Sequence, residues 1–204
     1  EIGVRLVGSE MCIRDSFYGD VPYQEETITI SEALQRGRRP KAEVIPLVYA
    51  DFDKAIAGLP ESYGKDENIH PTKGAALAMK ARFALYMGDY EIAAQAAKAC
   101  MDLKLYSLEP DYAKLFKQST KLNDEKVFVI PRSIENEVML DSWIVKNGLP
   151  RNAGGYGSYN PSWDLLASYL CTDGLPIDES PLFDPRKPFK NRDPRCTMTI
   201  VEFN

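Results

Sequence analysis

The chain has 204 residues, 44% of them hydrophobic and 27% charged, with a formal net charge of −5. That length and balance suit one large or two small well-cored domains and exclude a mostly disordered chain. The charge argues against a nucleic-acid face, which needs clustered Lys and Arg to displace counterions; the one basic cluster, Arg36, Arg38, Arg39 and Lys41, is flanked by acidic residues and reads as a solvated loop.

In chain order, residues 1–16 fit poorly with the rest of the chain and look like translated adapter sequence joined to a gene fragment. Cys12 is then accidental, and the native start is expected upstream of Phe17. No apolar run approaches the ~20 residues of a membrane-spanning helix, and the first residues have neither the basic nor the apolar region of a secretion signal. After a turn at Tyr18-Gly19-Asp20-Val21-Pro22, the segment Tyr23 to Pro40 is short of apolar periodicity and predicts an extended loop.

From Lys41 a helix is predicted. Val44, Val48, Phe52 and Ile56 recur every four residues, Ile45, Ala55 and Leu59 widen the stripe, and Gly58 and Pro60 end it. Pro46 is tolerable only near its first turn. A second helix starts behind the N-cap Thr72 and is expected to bury Leu77, Ala78, Ala81, Ala84 and Leu85. Gly88-Asp89 turns it into a third, from about Asp89 to Leu103, whose inner face carries Ile92, Ala93, Ala96, Ala97 and Cys100. Small residues at helical spacing let the two axes approach closely, and such a hairpin needs neighbours to bury the rest of its apolar surface.

Asp111 to Phe116 predicts a short helical turn, and Lys126 to Ile130 a short strand ended by Pro131. Asn147 to Asn160 is a glycine-rich loop punctuated by tyrosines. Asn160-Pro161 predicts an N-cap with proline at the first helical position, opening a helix through Trp163, Leu166 and Leu170. Beyond Asp173-Gly174 the proline-rich chain reads mostly as loop, and Ile200 to Asn204 as a strand-like run without a partner, so both ends look cut. The fold class is therefore all-α dominated, a helical half before a loop-rich half with minor short strands.

Chemistry-bearing patterns are few. Gly154-Gly155-Tyr156-Gly157 has no strand leading into it and no GK[ST] ending, so it is no phosphate cradle. His70, the one histidine, has no nucleophile motif around it, and no carboxylate pair stands in a diagnostic motif. Cys12, Cys100, Cys171 and Cys196 form no metal-ligand spacing; Cys100 reads as a small buried hydrophobe, while Cys171 and Cys196 could pair. No catalytic residue, metal or cofactor is expected. What remains is Trp143, Tyr156, Tyr159 and Trp163 interleaved with Asn147, Arg151, Asn152 and Asn160. Such groups bind sugars, whose C–H faces stack on flat rings while amides and guanidinium hydrogen-bond the hydroxyls. Alternatively the rings pack the loops onto the helices, which is the expectation for Trp163 and stays open for Trp143 and Tyr156.

Several short motifs, in order, resemble the SusD/RagB family of glycan-binding outer-membrane lipoproteins. They are Phe17-Tyr18-Gly19-Asp20-Val21-Pro22; Asp51-Phe52-Asp53-Lys54-Ala55-Ile56 with Leu59-Pro60; Thr72-Lys73-Gly74-Ala75-Ala76 through Gly88-Asp89-Tyr90; Glu125-Lys126-Val127-Phe128; Tyr169 with Asp173-Gly174-Leu175-Pro176; and Asn191-Arg192-Asp193-Pro194-Arg195. The resemblance implies tetratricopeptide-like hairpins carrying a loop-rich glycan face, with no catalysis. It implies a lipid-anchored protein on the extracellular face of the outer membrane, handing oligosaccharide to a TonB-dependent, SusC-like transporter. The signal peptide and lipidated cysteine of such proteins have no counterpart here. Ala81, Ala97 and Leu105 stand where the tetratricopeptide pattern has glycine, a bulky aromatic and proline, so an irregular array is expected.

The expected organisation is a foreign segment 1–16, a helical scaffold 17–124 and a loop-rich glycan-binding part 125–204. Trp143 and Tyr156 are the expected stacking platforms, with Tyr159 beside them, and Arg151 and Asn152 the expected hydroxyl contacts. The main alternative is a helical-repeat scaffold that binds protein and no glycan, and a third reading, a carbohydrate-active enzyme, needs a carboxylate pair.

Overall fold

The computed structural model describes residues 19–24, 26–63, 70–120, 122–129 and 142–202, the side chains of 118 and 142–144 excepted. The segment 1–16, expected to be foreign, Phe17 and Tyr18, the end of the expected strand at Ile130, Phe203 and Asn204, and the Trp143 side chain lie outside these residues. The described part is helix-dominated: α1 (Ile30–Gln35), α2 (Lys41–Gly58), α3 (Lys73–Met87), α4 (Tyr90–Asp102), α5 (Ser142–Gly148), α6 (Trp163–Ser168) and α7 (Pro194–Thr199). The described β pairing consists of two isolated bridges, Val21 with Arg39 and Cys171 with Arg192. Two compact units result, one holding the described residues up to 110 with 118–129, the other 111–117 with 142–202.

In the first unit α3 packs on α2 and on α4. Val44, Val48, Phe52 and Ala55 are buried along α2, on the predicted stripe, while Ile56 is only partly covered. Pro46 sits within α2 on the exposed side, leaving the core face intact. α2 has no side-chain cap from Pro40; the Asp20 carboxylate accepts from the Lys41 N–H at 2.9 Å instead. Val21 and Tyr23, both buried, join Val44, Val48, Phe52 and Phe83 in one core, and the Tyr23 hydroxyl donates to Asp51.

Thr72 caps α3, accepting from the Ala75 N–H at 3.3 Å. The α3 core residue is Phe83, fully buried, its ring edge-on to Tyr49 at 5.4 Å and tilted on Phe52 at 6.0 Å. Leu85, expected inside, is 57% exposed. Ala84 and Phe83 face inward, and Leu85, one residue on, is rotated by a helical step away from α2. Gly88 adopts φ 83°, the left-handed cap that favours glycine, and Asp89 then donates its N–H to Ala84 O at 2.9 Å while its carboxylate accepts from Tyr49 at 2.5 Å. The hairpin turn is thereby fastened to α2. On α4 only Ala96 and Cys100 are buried; Ala97, expected on the inner face, is exposed.

Four further expectations differ. Within the predicted loop Tyr23 to Pro40, α1 forms on a capping box: Thr29 accepts from the Glu32 N–H at 3.3 Å, and Glu32 accepts from the Thr29 N–H at 2.8 Å. None of its residues is buried, which is why apolar periodicity gave no sign of it. Residues 126–129 form no ladder; Lys126 closes a turn, donating to Asn123 O at 3.1 Å, and Val127 lies against α3 and α4 in an apolar groove. At the other end α7 forms where loop was predicted, with Asp193 as N-cap and Pro194 at its first position, and residues 200–202 are not in a strand.

Candidate functional site

The second unit is built around a small core of Leu166, Phe189, Cys196 and Ile200 with Tyr169 against it. Its centre is Arg192, which is buried: Nη2 donates to Leu166 O and Tyr169 O, both at 2.6 Å, and Nη1 to Pro188 O at 2.9 Å. Cys171 and Cys196 are both buried free thiols, not a disulfide. Burial pushes the Cys196 thiol up. The Asp173 carboxylate, accepting from Ser180 Oγ at 2.7 Å and the Leu175 N–H at 3.1 Å, is held below the usual range chiefly by the Ser180 bond.

Above this core the glycine-rich segment folds onto the end of α5. The N–H of Tyr156 donates to Lys146 O at 2.6 Å, that of Gly157 to Leu149 O at 2.9 Å, and that of Tyr159 to Asn147 O at 3.0 Å. Arg151–Ala153 makes a single 3₁₀ turn inside this clasp. A Cβ on Gly155 would overlap the Leu149 carbonyl, so the close return of the chain requires glycine there. Asn160 Nδ2 donates to Gly157 O at 3.1 Å and closes the loop. The following helix is capped by Ser162, accepting from the Leu165 N–H at 3.1 Å, so Asn160-Pro161 precedes the cap instead of forming it.

The loop, the start of α6 and the chain leaving α7 enclose a cleft of about 610 Å³. Asn152, Tyr159 and Asn160 line it from the loop, Leu165 from α6, and Thr199 and Glu202 from the C-terminal side. Its volume falls in the range of small-molecule sites, about 300–1,000 Å³. The hydroxyls of Thr199 and Tyr112 share a hydrogen bond of 3.2 Å, which ties the α7 side of the cleft to the turn at 111–117.

Of the residues singled out by sequence, Asn152 and Tyr159 are brought together here, Tyr159 at 63% exposure. Arg151 and Tyr156, the latter 48% exposed, belong to the same loop but are not in the cleft wall. Trp143 lies on α5 and its side chain is outside the described residues. Trp163, expected to pack, is 55% exposed, and Leu166 takes the buried position of that helix. Thr199, Ile200 and Glu202 line the cleft without any signal in the sequence, because nothing local to a strand-like run forty residues on marks it as the opposite wall. Among the described residues no group of His, Cys, Asp and Glu side chains could hold a metal ion, and no helix is long and apolar enough to cross a membrane.

No family model matches the chain, and no curated protein matches it. Among solved structures it is similar to a SusD-like carbohydrate binding protein from Bacteroides fragilis NCTC 9343, at 28% identity and a TM-score of 0.85; the match covers 96% of this chain and 38% of that one. A second SusD-like protein from the same organism matches at 26% identity and a TM-score of 0.69, over 96% of this chain and 42% of its own length. The chain thus spans about two fifths of the length of these neighbours.

Proposed function

We propose that this chain, which belongs to the SusD-like family, binds oligosaccharide in the cleft of its second unit and performs no chemistry on it. The observation that carries the reading is the cleft lining, in which an exposed tyrosine ring stands with two asparagine amides and a threonine hydroxyl over an apolar floor of Pro161 and Leu165. A sugar stacks its C–H face on such a ring and exchanges hydrogen bonds with the amides. Tyr156, Arg151 and Trp143, on the same loop and on α5, are the contacts proposed for a ligand that extends beyond the cleft. The protein is proposed to work at the extracellular face of the outer membrane, lipid-anchored, delivering glycan to a TonB-dependent, SusC-like transporter. The similarity to a carbohydrate binding protein supports the first part of this reading; the transporter and the location follow from the family alone.

Titration with an oligosaccharide panel, followed by tryptophan fluorescence, tests it. Both tryptophans of the chain, Trp143 and Trp163, lie in the unit that holds the cleft, so a change in their surroundings on binding is the signal followed. Tyr159→Ala is expected to weaken binding roughly tenfold, as loss of one well-placed aromatic contact does. Unchanged affinity in Tyr159→Ala and Asn152→Ala would overturn the site, and no response to any glycan would overturn the function.

A second reading, a helical scaffold that binds protein and no glycan, has one observation in its favour. In the first unit Ala78, Ala81, Ala97 and Cys100 line an apolar groove of about 640 Å³, with Met101 and Leu108 exposed beside it. Small residues along a helix pair are what a further helix would pack against.

A further inference from the structure

We infer that the cleft selects neutral oligosaccharides against acidic ones, with Glu202 as the selecting residue. The inference rests on the glycan reading above and adds the class of sugar. The cleft is polar through Asn152, Tyr159, Asn160 and Thr199, all uncharged. Among the described residues Glu202 is the single carboxylic acid in its wall, and no Lys, Arg or His lines it. The nearest cations in sequence, Lys146 and Arg151, sit on the segment that builds the loop but not in the lining.

That distribution treats the two classes of glycan differently. A neutral sugar offers hydroxyls that both donate and accept, and asparagine amides serve both functions. A carboxylate accepts only, and two neighbouring sugar hydroxyls can donate to its two oxygens in a charge-assisted pair. A uronate or sulfated sugar instead brings a second negative charge toward Glu202 with no cation in the wall to answer it. Glu202 is exposed, so the repulsion acts through water and is modest, but like charges brought together disfavour the complex, and rejection by a built-in repulsive group is how binding sites gain specificity.

The test uses the 204-residue chain and isothermal titration calorimetry at physiological salt. Ligands short enough to stay in the cleft and clear of Arg151 are used: neutral malto-, cello-, xylo- and mannotriose are compared with trigalacturonate and a heparin disaccharide. The best neutral ligand is expected to bind about two- to fivefold more tightly than either acidic one, the scale of an exposed charge interaction. Glu202→Gln keeps the shape and removes the charge, so it is expected to bring the acidic ligands closer to the neutral ones, and Glu202→Lys to bring them closer still. Acidic ligands that bind as tightly as the best neutral one overturn the inference and leave the glycan reading standing. An unchanged ratio in Glu202→Gln overturns the role of Glu202, and failure of all six ligands to bind overturns the glycan reading itself.

Discussion

Replacing Arg192 by methionine is expected to destabilise the second unit selectively. The guanidinium spans Leu166 O, Tyr169 O and Pro188 O, so it ties the body and end of α6 to the chain entering α7. Methionine fills most of the volume and supplies no donor. The Leu166 carbonyl, whose bond is buried, then loses its partner at about 1–3 kcal/mol, while the two part-buried carbonyls, open to water, cost roughly 1 kcal/mol or less each. Part of this is returned, because a desolvated guanidinium whose Nε has no partner no longer has to be buried. The balance is a loss of about 2–4 kcal/mol, a large share of the stability of a unit this size, roughly 0.05–0.15 kcal/mol per residue. Both tryptophans of the chain, Trp143 and Trp163, fall in this unit, so fluorescence during urea unfolding reports on it alone. The far-UV signal comes mainly from α2, α3 and α4 of the other unit. Arg192→Lys, which keeps the charge without the planar fork, should recover only part of the loss. A fluorescence midpoint within error of the parent chain in Arg192→Met would refute the role of Arg192 as the centre of this core.

Two further outcomes arise from the packing and the charges. Phe83→Ala should cost about 3–5 kcal/mol by emptying a fully enclosed site, whereas Leu85→Ala should stay within about 0.5 kcal/mol; equal losses in chemical unfolding would contradict the inward and outward assignment of these neighbours. Asp193, whose carboxylate accepts from Arg195 and caps α7, is lowered from 3.8 to about 2, chiefly by the Arg195 side chain. Since the folded pKa is the lower one, the unfolded chain takes up the proton first as pH falls. The stabilisation is therefore complete above about pH 4 and is lost between there and pH 2, and Asp193→Asn should flatten the pH dependence of stability in that window alone.

The parts of the fold readable from sequence are those fixed by local rules. The four-residue spacing of Val44, Val48 and Phe52 placed α2 on its core face, and Thr72 and Gly88 bounded α3 at the cap and the left-handed turn where they are found. The failures have two physical sources. Leu85 and Phe83 are equally apolar neighbours, and which of them turns inward depends on where α2 lies, a tertiary fact. α1 and α7 are six residues each, too short for a periodic stripe, although Thr29 with Glu32 and Asp193 with Pro194 carry capping signals that a search for apolar spacing passes over. The candidate site divides the same way. Asn152 and Tyr159 stand out in the sequence because aromatic and amide residues on a glycine-rich loop have a chemical meaning, but Thr199 and Glu202 join them in one cleft only when α7 brings them opposite that loop.

The motif Asn191-Arg192-Asp193-Pro194-Arg195, which pointed to a family, is in the structure a folding device that fixes the start of α7. Asn191 takes the left-handed conformation at φ 57° and donates to Leu182 O at 3.0 Å; Arg192 gathers three carbonyls; Asp193 caps α7; Pro194 starts it. Cys196 and Ile200, one helical turn apart, then bury the inner side of α7, and Ile200 borders the cleft together with Thr199, Val201 and Glu202. Residues that touch no ligand in the proposed site thus set where its selecting carboxylate stands. Sugar specificity should accordingly respond to changes in this five-residue knot as well as to changes in the loop, and the response should scale with how far α7 is loosened rather than with distance from the cleft.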